Sequence, residues 1–125
     1  AARLLHCEVS EVLADQETAA RQLRRQYGAS VILKNAVSHL IAKEGEALNV
    51  LGTPAMAKGG SGDALTGVLC ALLAGRQAGA YGMNDLEVLQ ASCGLHGLAG
   101  LSAEARCGQL SVLATDLAGA VGMYP

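Results

Sequence analysis

The chain has 125 residues, 51% hydrophobic and 16% charged, with a formal net charge of −2. Its length allows one small domain or part of a larger one, and its apolar content excludes a disordered polypeptide. Without Trp or Phe, and with only three Tyr, it lacks platforms for stacking single-stranded nucleic acid; with no basic run beyond Arg24-Arg25, it lacks a stripe for a phosphate backbone.

Residues 1–5 read as helix interior, followed by a short mixed stretch to Leu13. Asp15 is placed to cap a helix running to Tyr27, with Ala19, Ala20, Leu23 and Tyr27 on its apolar side and Arg21, Arg24 and Arg25 on its wet side. Gly28 stands where a helix-ending glycine belongs. Ser30 to Lys34 is an aliphatic, β-branched run that predicts a strand buried on both faces. A tight link at Asn35-Ala36-Val37 leads to a second strand over 38–43, a turn at Glu44-Gly45-Glu46, and a third strand over 47–51. Such short links imply antiparallel neighbours. Residues 52–62 are loop, 63–73 a helix ended by Gly75, and a longer helix runs from Asn84 or Asp85 to Ala105. A last short helix opens at Ser111 or Thr115. The order is that of one α/β layer system over 1–125, without internal repeat or linker.

The apolar run from Ala64 to Ala74 falls short of the roughly 18 residues that a membrane span requires. No secretory signal precedes it. Cys7, Cys70, Cys93 and Cys107 form no C-x-x-C pair, so they read as reduced core fillers in a cytoplasmic protein and not as a zinc site.

The segment richest in chemistry is Lys58-Gly59-Gly60-Ser61-Gly62-Asp63. Glycines there let the backbone approach a ligand closely. The first N–H groups of a helix lack partners and carry the positive end of its dipole, so they suit an anion such as phosphate. Asp63 has two readings: a carboxylate that caps the helix, or a general base taking the proton of a hydroxyl that attacks a phosphate held on those amides. The loop is neither a Walker A motif nor G-x-G-x-x-G.

The stretch from Gly52 to Gly67 resembles the signature G-N-x-G-M-A-x-G-G-[ST]-G-D-x-L-[ST]-G of the ADP/ATP-dependent NAD(P)H-hydrate dehydratases, of the ribokinase-like superfamily. Met56, Ala57, Gly59, Gly60, Ser61, Gly62, Asp63, Leu65, Thr66 and Gly67 match it, while Thr53 replaces its Asn and Ala55 a Gly. Residues 1–5 resemble the segment after the family's H-P-G-E, Tyr27-Gly28 with Val31 to Lys34 its Y-G…V-L-K-G, Leu95-His96-Gly97 its A-H-G, and Ala114 to Leu117 its A-T-D-L. At the family's K-G-x-G-T turn stands Lys34-Asn35-Ala36-Val37-Ser38, without either glycine.

The resemblance implies the C-terminal portion of a three-layer α/β/α domain, three strands followed by helices. It implies repair of hydrated NADH or NADPH: a nucleotide, ADP or ATP with Mg²⁺, phosphorylates the added hydroxyl, and phosphate is then eliminated. Asp63 is then the base contacting the substrate, Gly59, Gly60, Ser61 and Gly62 hold nucleotide phosphate, and Lys34, Asn35, Ala36, Val37 and Ser38 contact the nucleotide. Two other readings stand beside it: a small-molecule kinase of the same superfamily, and a non-catalytic subunit that needs an N-terminal partner. An open strand edge predicts homo-oligomers or association with that missing portion. His96 reads as a hydrogen-bonded packing residue, His6 and His39 as surface, and Lys58 as a solvated loop lysine.

Overall fold

The computed structural model describes residues 1–123, which divide into two compact units. The first comprises Ala1–Val50 with Asn84–Glu87. It holds helices α1 (Ala2–Leu5), α2 (Val9–Ala14) and α3 (Gln16–Tyr27) and strands β1 (Val31–Leu33), β2 (Ser38–Ala42) and β3 (Gly45–Asn49). Helix α3 starts because the Asp15 carboxylate accepts the Thr18 N–H at 2.9 Å. It stops at Gly28, which takes φ 64° and donates its N–H to the Arg24 carbonyl. Ala19, Ala20 and Leu23 are buried as their spacing predicts, and the helix packs on β1 and β2. Tyr27 departs from that face: it is half exposed and its hydroxyl donates to the Leu4 carbonyl at 3.1 Å. Arg21 is also not merely wet, since its guanidinium pairs with Glu17 and, across to β3, with Glu46.

The sheet has the order β1-β2-β3 and both pairs are antiparallel. Val31 faces Ile41 and Leu33 faces His39, while Ser38 faces Asn49 and Ala42 faces Gly45. That register places the second turn at Lys43-Glu44, one residue earlier than its composition predicts, with Gly45 already in the strand. The strand buried on both faces is β2 and not β1. Leu40, Ile41 and Ala42 are buried, whereas Val31, Ile32 and Leu33 are each half-buried. The difference follows from position: β2 has a strand on either side, and β1 lies at an edge.

The second unit comprises Leu51–Met83 and residue 88 onward. It contains a 3₁₀ turn at Pro54–Met56, helix α4 (Ser61–Gln77), most of α5 (Asp85–Cys107) and α6 (Ala114–Val121). Helix α4 begins two residues before the predicted Asp63 and runs through Gly75 instead of ending there. Gly75 is a seat for an aromatic ring: a Cβ on it would lie 2.8 Å from Cζ of Tyr81, whose hydroxyl donates to the Leu72 carbonyl at 2.7 Å. Asn84 and Glu87 close the start of α5 reciprocally, each side chain accepting the other's N–H at 2.9 and 2.8 Å. Ala55, Ala103, Val112 and Leu117 form a buried cluster, with Met56, Ala64 and Cys107 packed against it. Of the cysteines, Cys93 is a core filler, Cys7 and Cys107 are half-buried, and Cys70 is exposed on α4. Among the described residues no helix is long and apolar enough to cross a membrane.

Candidate functional site

The Gly-rich loop is held from beneath by one face of α5. Residues 96, 97, 100 and 104 fall within a single arc of that helix at 100° per residue. His96 is buried, and its Nε2 lies 2.8 Å from the Ser61 carbonyl oxygen. Gly97 leaves room for the backbone of Leu51, whose carbonyl oxygen would sit 2.7 Å from an added Cβ. Gly100 does the same for the Met56 side chain. Glu104 accepts the Thr53 hydroxyl, which in turn caps the 3₁₀ turn by accepting the Ala55 N–H at 3.2 Å. Thr53, where the resemblance would have Asn, is thus tied at both ends.

Gly60 is the pivot of the loop. It takes φ 86° and is the residue before the first turn of α4. A Cβ there would lie 2.8 Å from the Ala114 Cβ at the start of α6. Ser61, Gly62 and Asp63 follow as the first three helical residues. The Ser61 N–H reaches back to the Lys58 carbonyl at 3.3 Å and the Ala64 N–H to the Gly60 carbonyl at 3.0 Å. Among the described residues the N–H groups of Gly59, Gly60, Gly62 and Asp63 find no acceptor. This row of amides at the positive end of a 17-residue helix is a place for an anion.

The Asp63 carboxylate is exposed and, among the described residues, makes no hydrogen bond or ion pair. Capping, the simpler of its two readings, therefore lacks its hydrogen bond: α4 has no side-chain cap. Two neighbours do have structural work. Lys58 is not a solvated loop lysine, because its ammonium donates to the Leu110 carbonyl. Ser61 is buried, with its hydroxyl 3.4 Å from His96 Nε2.

The other predicted segment, Lys34 to Ser38, lies in the first unit. Lys34, Asn35, Ala36 and Val37 are exposed, whereas Ser38 is buried, its hydroxyl 3.4 Å from the Asn35 carbonyl that it donates to. None of these residues takes a positive φ, so the turn closes without the backbone conformation that its absent glycines would supply. Asn35, Ala36 and Val37 line an open cleft of about 430 Å³ together with His39, Leu13 and the start of α3. Asp15 and Glu17 make one wall of it acidic. The Thr18 N–H holds the Asp15 carboxyl below its ordinary range. His39 is half-buried there, while His6 is exposed as predicted.

Three contributors escape a sequence reading. Ala114, Glu104 and Leu110 support the loop from 40 or more positions away in the chain, and only the i, i+1, i+4, i+8 spacing of His96, Gly97, Gly100 and Glu104 hints at a common face. For Mg²⁺, the donor set is informative. Among the described residues no cluster of three or more His, Cys, Asp or Glu side chains could hold a metal. One free carboxylate beside bare amides suits an ion carried mainly by nucleotide phosphates and water.

Comparison with known proteins bears on the family and the fold. The family model described as NAD(P)H-hydrate dehydratase matches residues 1–121. The bifunctional NAD(P)H-hydrate repair enzyme of Escherichia coli is 39% identical over 119 residues, which are 94% of this chain and 22% of that enzyme. The enzyme of the same name from Vibrio cholerae is 50% identical over 74 residues, 59% of this chain and 15% of its own. The chain thus spans about a fifth of the length of these relatives. The fold matches the ADP/ATP-dependent NAD(P)H-hydrate dehydratase of Bacillus subtilis, co-crystallised with ATP/Mg²⁺ and soaked with CoA. The TM-score is 0.84 at 23% identity, covering 98% of this chain and 43% of that one. The architecture is accordingly the ribokinase-like α/β fold, represented by part of its length, and the chain belongs to the NAD(P)H-hydrate dehydratase family.

Proposed function

We propose that these 125 residues are the C-terminal portion of a single ribokinase-like domain that dehydrates hydrated NADH or NADPH at the expense of ADP or ATP. The observation that carries this reading is the exposed, unpartnered Asp63 carboxylate on the third residue of α4, next to four amides without acceptors. A carboxylate so placed gains from the helix dipole but is not tied down as a cap. It is free to accept the proton of the substrate hydroxyl as that oxygen bonds to the terminal phosphorus and the phosphoanhydride bond breaks. The amides of Gly59, Gly60 and Gly62, with Ser61 between them, stabilise charge on the transferring group. Breakage of the C–O bond, with loss of a proton from the neighbouring ring carbon to water, then releases phosphate and restores the nicotinamide double bond. Mg²⁺, bound with the nucleotide, supplies charge neutralisation on its phosphates. Exposed Lys34 and the turn Asn35, Ala36, Val37 and Ser38 contact the nucleotide.

The working unit includes chain beyond these residues, since the relatives are several times longer and the Bacillus domain more than twice as long. It forms by association with that N-terminal portion or as a homo-oligomer, in the cytoplasm. The test is recovery of the nicotinamide absorbance from hydrated NADH with Mg-ADP or Mg-ATP. It is run on the chain alone and with the N-terminal portion of the E. coli domain added in trans. Asp63→Asn should lower the rate about 10²- to 10⁴-fold, the range for loss of a general base. Full activity of Asp63→Asn would overturn the assignment. A stable phosphorylated product without dehydration would point instead to a small-molecule kinase.

A further inference from the structure

His96 is buried in the middle of α5 and the reaction just outlined does not use it. Its Nε2 lies 2.8 Å from the Ser61 carbonyl oxygen, with the Ser61 hydroxyl at 3.4 Å. A carbonyl only accepts, so Nε2 carries a proton and donates it. Ser61 is the first residue of α4, between Gly60 and Gly62. The hydrogen bond therefore acts on the carbonyl that shares its peptide plane with the Gly62 amide of the anion cradle, two residues before Asp63. The neighbours of His96 on the same face of α5 hold Leu51, Thr53 and Met56, but these lie upstream of the glycines at 59, 60 and 62. Of these α5 residues, His96 is the one that reaches the turn that carries Asp63.

We infer that His96 is a positioning residue: its Nε2–H bond to the Ser61 carbonyl fixes the first turn of α4, and with it the direction of the cradle amides and of Asp63. The effect on rate rests on the function proposed above; the effect on the turn does not. A packing role alone requires only that the site be filled. A positioning role requires a donor at the Nε2 position, which Gln supplies and which Ala and the shorter Asn do not.

The test uses the full chain, with the N-terminal portion of the E. coli domain added for the rate measurements, and compares His96→Gln, His96→Asn and His96→Ala. Amide hydrogen exchange of Ala64, whose N–H closes the turn on Gly60, reports the geometry. The split between kcat and KM reports the consequence. Exchange at Ala64 should quicken in the Ala and Asn variants and stay near wild type in Gln. The rate constant kcat should fall about 10- to 100-fold in Ala and Asn, the scale of a displacement of an ångström or less, with KM for the hydrated dinucleotide little changed and kcat largely restored by Gln. Should the Ala variant fail to fold, the Gln and Asn pair still differ by one methylene and decide the matter. Unchanged Ala64 exchange in Asn, or equal kcat in Gln and Asn, would overturn the inference. If the wild type turns over no hydrated NADH but exchange follows the donor, the proposed reaction fails and the clamp on α4 stands.

Discussion

Substituting Gly60 by Ala tests the loop most directly, because two separate penalties meet there. The residue takes φ 86°, in the left-handed region, and its new methyl group would lie 2.8 Å from the Ala114 Cβ. The conformational penalty is about 1–2 kcal/mol for an L-residue. The overlap with Ala114, about 1 Å inside normal carbon contact, adds about 1–3 kcal/mol, the usual range for overpacking. Gly28 separates the two: it takes φ 64° but a Cβ there meets nothing within 4 Å. Gly28→Ala should therefore cost about 1–2 kcal/mol and Gly60→Ala about 2–5 kcal/mol. Ala114→Gly, which removes the opposing methyl, should recover the steric part in a double-mutant cycle and leave the conformational part. Urea unfolding followed by far-UV circular dichroism is the assay, since the chain has no Trp. If Gly60→Ala cost no more than Gly28→Ala, or if the cycle with Ala114→Gly showed coupling below about 0.5 kcal/mol, the approach of α6 to the loop would be refuted.

Two further outcomes follow from the same geometry and from the charges. Gly97→Ala should be clearly destabilising in a thermal melt, because its Cβ would meet the Leu51 backbone at 2.7–2.8 Å; Gly100→Ala should be milder, because Met56 can rotate its flexible side chain aside and the helix gains up to about 1 kcal/mol from replacing Gly. The carboxyls of Asp15 and Glu46 are held below their ordinary values, by the Thr18 N–H and by Arg21 respectively. The stability they contribute is complete above the unfolded values near 4 and is lost as pH falls through the lower folded ones. Asp15→Asn, which keeps a cap but does not titrate, and Glu46→Gln should each flatten the acid limb of a stability-against-pH curve; an unchanged limb in both would show that these two groups do not govern it. The Glu46 part should also shrink with added salt, as the pair with Arg21 is exposed.

Local rules made much of the first unit legible. The Asp15 cap, the Gly28 stop and two short links between apolar runs are each decided by neighbours in the chain, and the structure has all four, the second link one residue earlier than its composition predicts. Burial was less legible. The aliphatic run Val31-Ile32-Leu33 has the composition of an inner strand, yet β2, with Ser38 and His39 among its residues, takes the centre. Strand order is a long-range property, and periodicity over three residues carries no information about it. Gly75 misleads for a related reason. A glycine late in an apolar helix looks like a stop, and nothing local says that Tyr81 will fold back onto it.

The candidate site divides along the same line. Its chemistry, three glycines and a carboxylate at a helix start, is contiguous, and so is readable from sequence. Its rigidity is not, because that comes from Glu104, Leu110, Ala114 and the small residues of α5. Here composition and mechanism meet. Without Phe or Trp, this unit cannot wedge its loop in place with large side chains. It seats its neighbours on glycine backbone instead: the Leu51 backbone on Gly97, the Met56 side chain on Gly100 and the Ala114 Cβ on Gly60. Close backbone packing leaves little freedom for a turn to shift, and a single hydrogen bond from His96 then suffices to set its orientation. A cradle of bare amides needs such restraint more than a cradle of lysines would. An amide cannot reorient toward its ligand without moving the chain, whereas a flexible cationic side chain adapts by rotating its own bonds.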